Sequence, residues 1–109
     1  MGMLEDRLGP EWTPEQIKVE LANYTYWYHK IALSDGIVTP GMNLEPIWDN
    51  IRKVRGSISY TGKDVLDIAS FDGLFAFEAE SLGARNVIAT DCLYQSFKNF
   101  LFCKQVLGN

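Results

Sequence analysis

The residues best suited to chemistry are two aspartates, Asp67 and Asp91, which lie in or directly after predicted strands. The near-continuous apolar run at residues 65–69 is typical of a strand covered on both faces, as in a parallel sheet, and residues 87–90 form a second run. Between them, residues 73–82 have a helical pattern, and a glycine follows as a helix stop. Strand, helix and strand together predict one βαβ unit.

The predicted unit brings both aspartates to one crevice. In a βαβ unit, ligands bind beyond the carboxyl ends of the strands, where the first loop and the start of the helix present backbone N–H groups. The crevice is thus bordered by Asp67, the loop at residues 69–73 and Asp91. An acid at the end of the second strand can accept two hydrogen bonds from a ribose diol, which indicates a nucleoside-containing cofactor. The alternative reading is that each acid caps a nearby turn or helix.

The loop between the aspartates contains one glycine, Gly73. The dinucleotide fingerprint G-x-G-x-x-G is absent, so a pyrophosphate has no glycine-lined approach to the backbone. This disfavours NAD.

The sequence VLDIASFDGLFAFEAESLGARNVIATD resembles motif I and the following acidic strand end of class I S-adenosylmethionine-dependent methyltransferases. The pattern of that family places glycines where this chain has Ala69, Phe71 and Gly73. Upstream, WYHKIALSDGIVTPG and YTGKDVLDI are similar to a bacterial branch related to the tRNA wobble-uridine carboxymethyltransferase group. Members of that branch can carry a bulky aromatic residue within motif I, and this chain has Phe71 there. The resemblance covers residues 26–109.

The resemblance implies an α/β chain with a partial Rossmann-like fold and S-adenosylmethionine as the cofactor. Residues 62–109 would be the first half of the cofactor-binding domain, and residues 1–61 a helical or extended cap. The backbone of the loop would border the methionine part, Asp67 would contact its amino group directly or through water, and Asp91 would hold the ribose hydroxyls. Cys92 and Leu93 would flank the adenine. The implied cofactor-binding residues are Asp67, Ala69, Ser70, Phe71, Asp72, Gly73, Asp91 and Cys92.

The resemblance also implies that the fold is truncated before its third strand, because the sequence reaches Asn109 first. In the family, a later loop supplies adenine contacts and groups near the methyl acceptor. No catalytic residue is therefore assigned, and the acceptor is left open between a small molecule and an RNA.

Two classes of function follow from these observations. The first is the cofactor-binding portion of a methyltransferase, associated with a C-terminal part outside these residues. The second is a non-catalytic binding module that forms a homo-oligomer through its open sheet and its apolar last helix, predicted at residues 94–106.

Two further helices are predicted before the βαβ unit. Thr13 and Gln16 form a capping box that starts a helix at residues 14–24. A second helix begins near Asn43 and ends at Gly56. Its apolar face is predicted to consist of Leu44, Ile47, Trp48, Ile51 and Val54.

Glu78 projects into the apolar stripe of the helix at residues 73–82, where an ionised carboxylate needs a partner. We expect the N-terminal segment to supply it, with His29, Lys30 and Thr39 as candidates. His29 is interpreted as a packed or surface imidazole rather than a catalytic base. The aromatic residues Trp27, Tyr28 and Trp48 are interpreted as core rather than as a base-stacking platform.

Composition limits the partners and the compartment. A formal net charge of -4 argues against a strongly basic nucleic-acid surface, although a local patch stays compatible with it. Cys92 and Cys103 fit neither a zinc spacing nor a disulfide framework, which indicates reduced thiols in a cytoplasmic protein without a metal site. The N-terminal residues lack the pattern of an export signal, and no apolar run is long enough to span a bilayer.

Overall fold

The computed structural model describes residues 11–108, which form an α/β arrangement. The expectation about an export signal concerns residues 1–12, and residues 1–10 lie outside the described part. In chain order the elements are α1 (Pro14–Leu21), β1 (Ala32–Ser34), β2 (Ile37–Val38), α2 (Glu45–Arg55), β3 (Asp64–Ile68), α3 (Leu74–Ser81), β4 (Asn86–Thr90) and α4 (Tyr94–Leu107).

The predicted βαβ unit is confirmed. Strands β3 and β4 pair in parallel, from Asp64 opposite Asn86 to Ile68 opposite Thr90, and α3 packs against both strands. Strands β1 and β2 form a separate antiparallel hairpin.

The expectation that β3 is covered on both faces is wrong. Exposure alternates along both strands, and the side chains on one face are largely open: Leu66 is 59% exposed, Ile68 73% and Ile88 61%. The apolar run has the composition of a doubly covered strand, but in the described part of the chain α3 covers only the other face.

Helix α1 begins as predicted. The backbone N–H of Gln16 donates to Thr13 Oγ1 at 3.2 Å, and the N–H of Thr13 donates to Gln16 Oε1 at 2.9 Å. The helix ends at Leu21, before the predicted Tyr24, because the N–H of Tyr24 turns back to the carbonyl of Leu21 in a tighter turn.

One hydrophobic core contains residues from both predicted segments, 1–61 and 62–109. The division into these two segments stays a prediction. Trp48 from α2 and Phe102 from α4 are both nearly inaccessible, at 3% and 1% exposure. The buried members of this core are Ile17, Trp27, Ile31, Leu33, Ile37, Trp48, Leu74, Phe102 and Cys103.

The predicted apolar face of α2 does not pack as expected. Trp48 is buried, but Ile47, Ile51 and Val54 are 53%, 44% and 73% exposed. The prediction is wrong because the helix is held by the side that carries Trp48 and two arginines, which turns the neighbouring isoleucine side outwards.

Those arginines, Arg52 and Arg55, are the partners of Glu78. Arg52 Nη2 lies 2.7 Å from Glu78 Oε2, and Arg55 Nη1 bonds to Glu78 Oε1. A partner from the N-terminal segment is thus confirmed, whereas none of the three named candidates bonds to it. The guanidinium groups reach α3 because residues three apart on α2 share one side of the helix.

Helix α4 is the last helix, which the sequence predicts to be apolar. Its buried side combines Phe102 and Cys103 with polar Ser96 and Asn99, while Phe97 and Leu101 are each 42% exposed. The helix therefore buries polar groups and leaves apolar ones open, which the periodicity alone does not predict.

Cysteines, metals and membranes can be described for residues 11–108. Cys92 is an exposed free thiol and Cys103 a buried one, whose pKa is raised by burial. Within this range, the acids, His29 and the thiols form no cluster of three or more that could hold a metal ion. The helices of the same range are too short or too polar to cross a membrane.

We predict that Glu78→Gln lowers the free energy of unfolding by about 1–2 kcal/mol at neutral pH, because two half-buried guanidinium groups lose their anion. Burial acts to raise the pKa of Glu78, but the hydrogen bonds from Arg52 and Arg55 outweigh it and hold the pKa below its ordinary value. The ionised Glu78 side chain therefore stabilises the fold fully at pH values above its pKa in the unfolded chain, about 4.3. This stabilisation is lost as the pH falls through the lower pKa of Glu78 in the folded protein. Chemical denaturation at several pH values measures it.

The matched control is Glu15→Gln, whose carboxylate pairs with Lys18 but is 81% exposed. We expect no measurable change in stability there, because exposed ion pairs contribute little. Equal effects of the two variants would contradict the role given to Glu78.

Candidate functional site

The loop after β3 turns through three residues with left-handed backbone. Ala69, Phe71 and Gly73 have φ values of 59°, 50° and 95°. Left-handed backbone is easy for glycine, but it brings a Cβ against the following carbonyl in other residues. These are the same three positions at which the resemblance places glycine.

Hydrogen bonds within the loop stabilise this shape. The N–H of Ser70 donates to the carbonyl of Thr90 at 2.9 Å, and the N–H of Gly73 donates to the carbonyl of Ser70 at 2.9 Å. The N–H of Phe71 donates to Asp91 Oδ2 at 2.8 Å. Three of the N–H groups that an anion would need are therefore already used inside the protein.

Gly73 also meets a packing demand. It precedes α3 directly, and a Cβ at this position would collide with the ring of Phe100. Because both its backbone angle and its surroundings exclude a side chain, this glycine is needed for α4 to approach α3.

Asp91 caps the loop, as the alternative reading expects. Its Oδ2 accepts from Phe71, and its Oδ1 accepts from the N–H of Leu93 at 2.8 Å. A carboxylate oxygen can accept two hydrogen bonds, so each oxygen of this half-buried side chain keeps one position for a ligand.

Asp67 lies beside Asp91 at the end of the parallel pair. Burial raises the pKa of Asp67 above its ordinary value, the backbone N–H of Ala76 opposes this increase, and the charge of Asp91 adds to it. The carboxylate is half-buried and faces the start of α3. The two predicted acids thus come together at one edge, close enough to influence each other.

Asp72 has a role that the sequence does not predict. Its side chain is 0% exposed, and its Oδ2 accepts from the N–H groups of Tyr28 and His29, each at 2.7 Å. Burial raises the pKa of Asp72, while the hydrogen bonds from His29, Tyr28 and Asn99 oppose this. Its carboxylate therefore anchors the preceding segment and faces no solvent.

Asn99 extends this anchor to α4. Its amide nitrogen donates to the carbonyl of Thr25 at 2.8 Å and lies 3.4 Å from Asp72 Oδ1. Asn99 is also 0% exposed. The position of Asn99 three residues before Phe102, on the same side of the helix, is the sequence signal that could have indicated this contact.

His29 is packed, as expected. It is 4% exposed, and burial lowers its pKa to about 4, so the imidazole is neutral at neutral pH. Its Nδ1 lies 3.9 Å from Asp72 Oδ2 without a hydrogen bond, and the rings of Tyr28, Trp48, Phe71 and Phe75 surround it.

The three aromatic residues interpreted as core separate into two groups. Trp27 and Trp48 are buried, at 8% and 3% exposure, which confirms the interpretation for them. Tyr28 is half-buried instead, and its ring stacks on that of Phe71 with centroids 4.3 Å apart and an interplanar angle of 23°.

The predicted site residues thus differ in accessibility. Ser70, Asp72 and Gly73 are buried, Asp67, Phe71 and Asp91 are half-buried, and Ala69 and Cys92 are exposed. A surface groove elsewhere is lined by Ile31, Ala32, Leu74, Phe77, Glu78, Glu80, Ser81 and Leu107 and includes none of them. The residues accessible to a ligand at the loop are therefore two acids, an aromatic ring, an alanine and a thiol.

Comparison of the chain with models of protein families and with curated protein sequences yields no match. Function must therefore be inferred from the loop residues and their contacts.

We predict that Ala69→Gly raises the free energy of unfolding by about 0.5–1 kcal/mol, because it removes the steric cost of left-handed backbone at an exposed position. Ala22→Gly is the matched control, since Ala22 is exposed and has φ of -63°. There we expect a loss of up to about 0.5 kcal/mol, because glycine has more backbone freedom to lose on folding and Ala22 lies at the end of the helix. Urea denaturation measures the free energy of unfolding of both variants. If Ala69→Gly lowers it as much as Ala22→Gly does, the backbone at Ala69 is not strained.

Proposed function

We propose that this chain is the cofactor-binding portion of an S-adenosylmethionine-dependent methyltransferase with a partial Rossmann-like fold. The observation that carries the proposal is the backbone of the loop. Ala69, Phe71 and Gly73 all have positive φ, at the three positions where the family pattern has glycines. The local shape that those glycines permit is thus present, although two of the three side chains differ.

The charge of the loop favours a cationic ligand over a phosphate. The acids that keep accessible surface at the loop are the half-buried Asp67 and Asp91, and residues 65–73 contain no Lys, Arg or His. Three loop N–H groups are occupied within the protein, so a pyrophosphate would meet fewer backbone donors there than a helix N-terminus ordinarily offers. S-adenosylmethionine, which carries a sulfonium and an ammonium group, fits such surroundings better.

The donor set also fits a nucleoside. Asp91 keeps one acceptor position on each oxygen, as a ribose diol requires. Asp67 offers a carboxylate for the amino group of the methionine part. When bound, the cofactor would supply an electrophilic methyl group, and this chain would bind and orient it.

We predict that isothermal titration detects saturable binding of S-adenosylmethionine and S-adenosylhomocysteine to the folded chain. Asp91→Asn should weaken both at least about tenfold, because the amide nitrogen cannot accept a hydrogen bond and the charge is lost. A folded wild-type chain that binds neither compound would contradict the proposed function.

Asp64→Asn is the matched control for this titration. Asp64 is an exposed acid at the start of β3, where its carboxylate bonds to Arg85 and Asn86. It lies at the opposite end of the strand from the loop, so the affinity for both compounds should stay unchanged.

A second candidate function, self-association, is favoured by the open face of the β3–β4 pair. Leu66, Ile68 and Ile88 expose a contiguous apolar surface on this face. Each strand also has only one hydrogen-bonded neighbour within the described residues, which leaves strand edges available for pairing.

If the chain self-associates through this face, sedimentation should detect a dimer at micromolar concentration. Ile88→Lys should convert it to a monomer, since a lysine at the centre of an apolar contact loses its hydration. Val19→Lys, at a 69% exposed position on α1, should leave the dimer intact. A monomeric wild-type chain would contradict self-association.

A further inference from the structure

The rings of Tyr28 and Phe71 connect the N-terminal segment to the loop. Phe71 lies between the two predicted acids in sequence, and its own N–H bonds to Asp91. Its ring stacks on Tyr28, and both side chains keep part of their surface accessible. A π surface is therefore present beside the predicted ribose-binding carboxylate.

This ring pair is fixed in position. Asp72, the residue after Phe71, accepts from the N–H of Tyr28, so backbone atoms of both stacked residues are tied to the loop. Phe71 also holds a left-handed backbone with φ of 50°, which a bulky side chain adopts rarely. Such a conformation is found where the surroundings determine it, and ligand-binding loops are among those places.

The rings of Tyr28, Trp48, Phe71 and Phe75 form an aromatic cluster around His29, and one of these rings already has cations over its face. The guanidinium carbons of Arg52 and Arg55 lie 5.9 Å and 5.8 Å from the centroid of Phe75, which is a neighbour of His29 in this cluster. The negative face of an aromatic ring attracts cations, including ligand cations. The rings of Tyr28 and Phe71 each cover one face of the other, and both side chains keep part of their surface accessible.

We infer that the Tyr28–Phe71 ring pair forms the part of the cofactor site that recognises the positive charge of a sulfonium. The inference rests on the proposed function and deepens it, because it assigns a contact to Tyr28, a residue outside the motif. Asp72 is a positioning residue in this arrangement. The ring pair makes the site prefer the charged S-adenosylmethionine over the neutral thioether S-adenosylhomocysteine.

Titration with both compounds tests the inference. In Tyr28→Leu, the affinity for S-adenosylmethionine should fall about threefold to tenfold, while that for S-adenosylhomocysteine changes by less than about twofold. Tyr28→Phe keeps the ring and should keep the wild-type ratio of the two affinities. Phe71→Leu should reduce the ratio as Tyr28→Leu does.

Tyr24→Leu is the matched control, because Tyr24 is also half-buried and its ring stacks on Phe102 with centroids 4.6 Å apart. It removes a stacked tyrosine within the core and should leave the ratio unchanged. Circular dichroism and thermal unfolding check that each variant is folded. If Tyr28→Leu does not fold, the ratio of the two affinities is tested with Phe71→Leu instead.

The outcomes separate the two proposals. A wild-type chain that binds both compounds, with variants that weaken both equally or not at all, overturns the inference and leaves the proposed function intact. A folded wild-type chain that binds neither compound overturns both. A selective loss of the charged compound in Tyr28→Leu or Phe71→Leu, but not in Tyr24→Leu, supports the inference.

Discussion

The arrangement of the loop and the segment before it depends on the buried carboxylate of Asp72. An enclosed charge costs several kcal/mol unless hydrogen bonds replace the lost water. Here the replacement comes from the N–H groups of Tyr28 and His29, which share one oxygen. Because two consecutive N–H groups converge on a single atom, the course of the chain at this point is fixed relative to the loop.

This constraint explains why left-handed backbone persists at Ala69 and Phe71. Each residue costs on the order of 1 kcal/mol more in this conformation than glycine would. The hydrogen bonds from the loop to Thr90 and Asp91 offset that cost, and the ring of Tyr28 covers the side chain of Phe71. The loop keeps left-handed backbone at three positions although only Gly73 is a glycine, because contacts outside the loop compensate at the other two.

The sequence predicts local features well. The capping box at Thr13 and the strand, helix and strand around the loop depend on near neighbours in the chain, which a short pattern records. The prediction of which side of α2 packs inwards is wrong, because the ion pairs of Glu78 with Arg52 and Arg55 decide the orientation of this amphipathic helix. The sequence does not predict the role of Asp72 either, because its partners include backbone N–H groups of a distant segment, and these leave no signal in the sequence.

The hydrogen bond from Asn99 to the carbonyl of Thr25 joins residues that are 74 positions apart. A contact of this kind closes a long loop, and the entropy of that closure must be offset by the contacts that form with it. During synthesis, the N-terminal segment leaves the ribosome before α4 does. The hydrogen bonds of Asn99 to Thr25 and Asp72 can therefore form only after synthesis has passed residue 99, and a nascent chain that ends earlier has the loop without this support.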